Sequence, residues 1–293
     1  MITINDYLNG ILKDFKGYVN SQKELCELLD VHFDAGRIPD YSNLHVQQLY
    51  LLRYAYAYAF EYKYMYKKLM ERMDDTSEIN VVSVGCGNLL DYWSLVHVVK
   101  DRSNICYNGI DAIDWSYRFA ARPRDDVGRV IGNAVSYFQG KNKFSSNVYI
   151  FPKSISEFTM NDISMIAKCF TRETVSPSKF HFLFSLRTDS GSIERDMSKT
   201  RLIYKTIISN GFHSVDNCNN RSVFIEEIKG KLIRNVDDDF KHPGEVIDFL
   251  KTLDKRCNTL ENCTSRSDCE KRLKRWPILK CQYATWQIFS FER

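Results

Sequence analysis

A chain of 293 residues with 44% hydrophobic and 27% charged side chains has an ordinary globular composition and is long enough to bury a substantial core, as one enlarged domain or a domain with appendages. The formal charge of +4 permits an acidic partner such as RNA without requiring one, so the local distribution of charge must decide. Nine cysteines, a start (MITINDYLNG) with neither a basic end nor an apolar stretch, and no apolar run long enough to span a bilayer argue for a reducing, cytoplasmic setting, against a disulfide framework and against a membrane.

Residues 1–75 read as a helical N-terminal cap ahead of the sheet. Ile2 to Val19 and Gln22 to Phe33 are short amphipathic pieces, and Gly36 to Asp40 reads as a loop. Ser42 or Asn43 can cap a long helix reaching about Met73. In that helix Tyr50, Tyr54, Tyr58, Tyr62 and Tyr66 recur every four residues, with Tyr56 and Tyr64 beside them, so the rings lie nearly along one face. The stripe either packs against the sheet domain or forms a wall of the substrate cleft on which bases could stack.

The stretch from Ile79 to Asp111 organises the rest. Asn80 to Val84 is a β-branched apolar run of the kind buried on both faces of a parallel sheet. Gly85-Cys86-Gly87-Asn88 breaks it with two residues that can take positive φ, and from Leu89 to Lys100 apolar positions return at helical spacing. Ile105 to Ile110 is a second buried strand, and Asp111 stands at its carboxyl end, where a carboxylate can accept hydrogen bonds from a ribose diol. The dinucleotide fingerprint G-x-G-x-x-G needs a third glycine, and that place holds Leu90.

Further on, Asp114 to Ala121 is predicted as a helix, Arg122 to Asp126 as a loop, Val127 to Ile131 as the third strand and Asn133 to Gln139 as a short helix. Asn147 to Pro152 is a strand that stops at a proline. Met160 to Phe170 follows as a helix, Lys179 to Leu186 as the fifth strand, and Ile193 to Asn210 as a helix closed by Gly211. Ser222 to Ile228 is a sixth strand, and Ala284 to Glu292 is the best candidate for a seventh.

From the glycine turn through the sixth strand, roughly residues 78 to 228, the chain resembles the S-adenosylmethionine-dependent methyltransferase superfamily. The resemblance implies a Rossmann-like α/β fold: a seven-stranded sheet with helices on both faces and the last strand antiparallel. Residues 76–293 are then the methyltransferase domain, with 229–283 as an insertion between the last two strands that overhangs the cleft. It also implies S-adenosylmethionine as cofactor. Gly85, Cys86, Gly87 and Asn88 contact it through their backbone, Asp91 lies near its amino-acid end, Asp111 holds the ribose, and Ala112 or Ile113 flanks the adenine. Read without the resemblance, Asp111 is a helix N-cap, Asp91 a favourable charge in a first helical turn, and Cys86 a small turn residue.

The fourth strand ends where the transferable methyl lies in that superfamily, which puts Pro152, Lys153, Ser154 and Glu157 on the substrate side. Glu157 is near the place for a catalytic base, or caps a helix; no catalytic residue is assigned. A fainter resemblance, to the methyltransferase family associated with the mitochondrial ribosomal small subunit, rests on the run Arg53 to Ala59 and on Ser154-Ile155-Ser156-Glu157-Phe158. The Asn-Pro-Pro-aromatic tetrad of many amino-group DNA methyltransferases is absent.

Cys257, Cys263, Cys269 and Cys281 could bind zinc or an iron–sulfur cluster, but the intervals of five, five and eleven residues contain no C-x-x-C knuckle, and buried thiols are the alternative. Around them Lys255, Arg256, Arg266, Lys271, Arg272, Lys274, Arg275 and Lys280 form the most basic part of the chain, beside Trp276 and Tyr283. Such a segment holds a phosphate backbone or is a solvated helix face. RNA leads among acceptors; a small molecule or a protein stays open, as does a methyltransferase-fold binding protein without activity.

Overall fold

The computed structural model describes residues 2–31, 39–73, 78–100, 104–187, 190–223, 242–257, 266–275, 277 and 285–293. By internal contacts the chain divides into two compact units. One comprises Met1–Phe60, Trp115–Ala120 and Ile228–Gln282; the other comprises Glu61–Asp114, Ala121–Glu227 and Tyr283–Arg293.

The second unit is built on one mixed sheet. Its strands are β1 (Ile79–Val84), β2 (Ile105–Asp111), β3 (Asp126–Ile131), β4 (Val148–Pro152), β5 (Lys179–Leu186), β6 (described for Ser222–Val223) and β7 (Thr285–Glu292), in the order β3-β2-β1-β4-β5-β7-β6. β1 pairs in parallel with β2 and β4, β2 with β3, and β4 with β5, whereas β7 runs antiparallel between β5 and β6. The order reverses at β1, so the crevice of this α/β sheet lies at the carboxyl ends of β1, β2 and β4.

Strand alternation assigns the two faces. Val82, Val84, Ile110, Tyr149, Phe151, Phe180, Phe182, Phe184, Phe289 and Phe291 join one buried cluster with Phe138 of α4 (Ala134–Gln139), Ile163 and Ile166 of α5 (Met160–Lys168), and Met197, Ile203 and Ile207 of α6 (Ser190–Ser209). Close ring pairs run through this layer, such as Tyr149 with Phe182 at 5.1 Å and Phe180 with Phe291 at 5.4 Å. The opposite face carries Tyr107, whose hydroxyl reaches α3 (Leu90–Val99). Both helical layers follow from alternating inward residues that must all be covered.

The helix starts repay inspection. α4 is capped by Asn133, whose side chain accepts from the Ser136 N–H, and α5 by Thr159 in a capping box with Asp162. Glu157 therefore caps no helix. α6 is followed by Gly211 at φ +91°.

In the first unit α1 (Ile4–Ser21) is capped by Thr3. α2 (Leu44–Met70) starts at Asn43, whose Oδ1 accepts from the N–H groups of His45 and Val46 at 2.8 and 3.3 Å; its last residues, from Glu61, belong to the second unit. The helical expectation for Gln22 to Phe33 is corrected to a 3-10 segment over Cys26–Val31, with Phe33 outside the described residues. The helix expected over Asp114 to Ala121 is also corrected, because that segment is irregular. Its backbone is taken by side-chain partners: the Ser116 N–H donates to Gln47 Oε1 at 3.0 Å and the Tyr117 carbonyl accepts from the Tyr7 hydroxyl at 3.0 Å, while Phe119 stacks on Tyr7. Tertiary contacts override helix propensity here. Among the described residues this unit also holds α7 (Gly244–Lys251), a 3-10 turn over Asp254–Arg256 and α8 (Arg266–Leu273).

The tyrosine stripe divides. Tyr56, Tyr62 and Tyr66 are buried; Tyr50, Tyr54 and Tyr58 are half-buried and associate, with centroids 5.2 Å apart for Tyr50–Tyr54 and 5.8 Å for Tyr54–Tyr58. Tyr41 and Trp115 extend the cluster.

Candidate functional site

The glycine turn is shaped by what lies against it. Gly85 takes φ +71° and Gly87 φ +53°. A Cβ on Gly85 would stand 2.4 Å from Ser154 Cβ, so the turn after β1 and the turn after β4 touch only because residue 85 has no side chain. Gly109 of β2 plays the same part for Cys86, whose Sγ would be 2.7 Å from an added Cβ; nothing in its spacing marks this glycine. Leu89 closes the turn at φ 67°.

Three amides of the turn donate within the fold. Gly85 and Cys86 donate to the Ile110 carbonyl at 2.8 and 3.1 Å, and Gly87 donates to Asp111 Oδ2 at 2.7 Å. The second Asp111 oxygen accepts from Ile113 N–H at 2.9 Å. No helix follows Asp111, so its carboxylate fastens the glycine turn to the residues after β2 instead of capping a helix. Ala112 and Ile113 occupy the same short segment.

Asp91 lies in the first turn of α3, yet it is 1% exposed. Its carboxylate accepts from the Tyr107 hydroxyl at 2.9 and 3.0 Å and lies 3.5 Å from the Tyr66 hydroxyl. Burial pushes its pKa up to about 6, against the lowering effect of these hydrogen bonds. In this structure it serves the start of α3 and the face of the sheet. Asn88 is buried in the turn, and burial followed by the charges of Asp111 and Asp91 raises the Cys86 thiol well above its ordinary range.

At the end of β4, Pro152 is buried and Lys153 takes φ 62°, an uncommon conformation for a non-glycine residue. Lys153 Nζ pairs with Glu61 Oε2 at 2.7 Å and donates to the Leu186 carbonyl, while Ser185 donates to the same Glu61 oxygen at 3.2 Å. Burial raises the Glu61 pKa and Lys153 opposes that rise. Ser154 donates its hydroxyl to the Val84 carbonyl and is buried under Gly85. Of the four substrate-side residues read from the sequence, Glu157 alone is exposed.

Spacing along the chain marks neither Glu61 and Tyr107, which bind Lys153 and Asp91, nor Arg187, Asp196 and Lys199, whose groups act on Glu157 or hold its turn. The available signal was a charge on an apolar stripe, since Asp196 and Lys199 lie among the buried positions Ile193, Met197 and Ile203 of α6.

The order β3-β2-β1-β4-β5-β7-β6, with β7 antiparallel and a glycine turn bound to the acid after β2, decides the architecture. Parallel strands with the last strand antiparallel are what the resemblance to the S-adenosylmethionine-dependent methyltransferases implies. No protein-family model matches the chain, and no curated protein matches it either. Among solved structures, the chain is similar to the cyclopropane synthase MmaA2 from Mycobacterium tuberculosis, at 7% identity over 95% of this chain and 98% of that one, with a TM-score of 0.40. A methyltransferase from Thiobacillus denitrificans, solved with S-adenosyl-L-homocysteine, is 13% identical over 78% of this chain and 91% of that one, with a TM-score of 0.37. Mitomycin 7-O-methyltransferase MmcR is 10% identical over 53% of this chain, with a TM-score of 0.32, and the match spans about half (49%) of its length.

In the other unit, Cys257 and Cys269 are buried, whereas Cys263 and Cys281 lie outside the described residues. Among the described residues no group of three or more histidine, cysteine, aspartate or glutamate side chains is arranged to hold a metal ion. Nor is any helix among them long and apolar enough to cross a membrane. Lys255, Arg256, Lys271, Lys274 and Arg275 are exposed. Arg53 is fully buried and donates through Nη2 to the carbonyls of Arg272 and Leu273 at 2.9 Å each, which closes the carboxyl end of α8.

Proposed function

We propose that this chain is a cytoplasmic S-adenosylmethionine-dependent methyltransferase with RNA as its acceptor. The observation that carries the cofactor reading is the Asp111 carboxylate, fixed at the carboxyl edge of the sheet by the Gly87 and Ile113 amides. The chain's residues fit the donor: Asp111 supplies acceptors for the ribose hydroxyls, Ala112 and Ile113 supply apolar flanks for the adenine, and the turn from Gly85 to Asn88 brings backbone close where a side chain would exclude it. When bound, the sulfonium supplies an activated methyl group, which leaves the protein to align the acceptor and exclude water. The exposed lysines and arginines between residues 255 and 275 support an acceptor with a phosphate backbone. A small-molecule acceptor and a binding protein without activity are the competing readings.

Titration calorimetry with S-adenosylmethionine tests the cofactor reading. Wild type binds, and Asp111→Ala binds about 10- to 100-fold more weakly, the worth of one or two hydrogen bonds to a charged acceptor. Absence of binding by wild type refutes it. Incubation with tritiated donor and separate RNA, protein and metabolite fractions tests the acceptor: label in RNA supports the proposal, and label confined to metabolites rejects the RNA assignment.

A further inference from the structure

The turn after β4 is held more firmly than a connection needs. The Glu157 amide donates to the Ser154 carbonyl at 2.9 Å. From α6, Lys199 Nζ donates to the carbonyls of Ile155 and Ser156, both at 3.0 Å, and Asp196 Oδ2 accepts from the Ser156 hydroxyl at 2.9 Å. Lys199 and Asp196 are both buried, 9% and 1% exposed, and burying two charged groups against a sheet costs desolvation that a plain loop would not require. Ser154 and Ile155 are buried and Ser156 is half-buried, so within the clamped turn from Ser154 to Glu157 the exposed side chain is that of Glu157.

The charges facing Glu157 come from three directions. Asp111 stands at the end of β2, Arg187 follows β5, and Lys199 projects from α6 with Asp196 beside it; Asp162, at the start of α5, bears on Lys199. The Glu157 carboxylate is reached by solvent and yet crowded by protein atoms. That crowding and the Asp111 charge push its pKa up to about 7, against Arg187 and Lys199, which act to lower it.

We propose that Glu157 is the carboxylate that distinguishes the positively charged methyl donor from its uncharged thioether product, an inference that rests on the methyl-donor reading above. The position supports it: Ser154 of the same turn packs against Gly85 of the glycine turn, and the Asp111 charge acts on Glu157. A carboxylate held there is a counter-charge for a sulfonium, which loses its positive charge on giving up the methyl. Binding of the sulfonium favours ionised Glu157, so near neutral pH the donor releases a proton from the protein to buffer and the product releases less. A built-in preference for donor over product relieves product inhibition without any contact that must open.

Calorimetry on the full chain tests this without knowledge of the acceptor. S-adenosylmethionine and S-adenosylhomocysteine are titrated at pH 6 in phosphate and in bis-Tris, and at pH 8 in phosphate and in Tris, buffers whose ionisation enthalpies differ. In wild type the ratio of donor to product affinity rises about five- to tenfold between the two pH values, with proton release on donor binding. Glu157→Gln binds both ligands with a ratio that no longer responds to pH, and Glu157→Asp, which keeps the carboxylate, keeps the response. A wild-type ratio that is flat with pH, or a response that persists in Glu157→Gln, overturns the inference. Binding of neither ligand by wild type overturns the methyl-donor reading itself, and is thereby told apart from failure of the Glu157 role alone.

Discussion

Replacing Gly85 by alanine perturbs one contact whose size follows from the geometry. The new Cβ meets Ser154 Cβ at 2.4 Å, and Ser154 cannot retreat because its hydroxyl is tied to the Val84 carbonyl and its neighbours are clamped by α6. Overpacking of this kind costs about 1–3 kcal/mol. The residue must also hold φ +71°, which costs an L-amino acid a further ~1–2 kcal/mol, less ~0.4–1 kcal/mol from restricting the unfolded chain. Gly85→Ala therefore loses about 2–4 kcal/mol of stability. Ser154→Gly by itself loses about 1–2 kcal/mol, through its hydrogen bond and added backbone freedom. The double variant has no Cβ for the alanine to strike, so it is more stable than the sum of the two losses by about 1–3 kcal/mol. Urea unfolding of the four proteins measures this coupling. Losses that add to within about 0.5 kcal/mol refute the argument that the two turns touch only through a missing side chain.

Two other perturbations read different parts of the fold. His181 is buried with Nδ1 2.9 Å from Ser290 Oγ, and burial lowers its pKa from 6.5 to about 4. The unfolded chain thus binds more protons between those values. Stability is full above pH 6.5 and falls as pH drops toward 4, by up to ~3 kcal/mol. In urea unfolding across this range His181→Gln is expected to lose most of the slope, and an unchanged slope removes His181 as the cause. Arg53→Met withdraws the donor pair from the end of α8 and is expected to lower stability by about 1–3 kcal/mol, with helicity reduced in far-ultraviolet circular dichroism. Unchanged unfolding would mean that water serves those carbonyls equally well.

The segment from Ile79 to Asp111 was legible because its logic is local. β-branched residues, two glycines, a helical period and a strand-end acid each act within a few positions, and the register of β1 with β2 follows from them. The fifth strand, Lys179–Leu186, was legible for the same reason: its alternate phenylalanines must share a face. What needed tertiary structure was whatever two distant segments decide together. That Asp91 of α3 is buried and bound by the Tyr107 hydroxyl of β2 shows only once the helix lies on the sheet. Asp114 to Ala121 reads as a helix until Gln47 and Tyr7 take its backbone groups. Glu157 reads as a possible cap until Thr159 fills that place and α6 fixes the turn beneath it. Local spacing therefore determined the glycine turn and the acid after β2. Only the fold decided which charges are buried as supports and which one, Glu157, is left facing the solvent, because burial depends on partners that spacing along the chain does not encode.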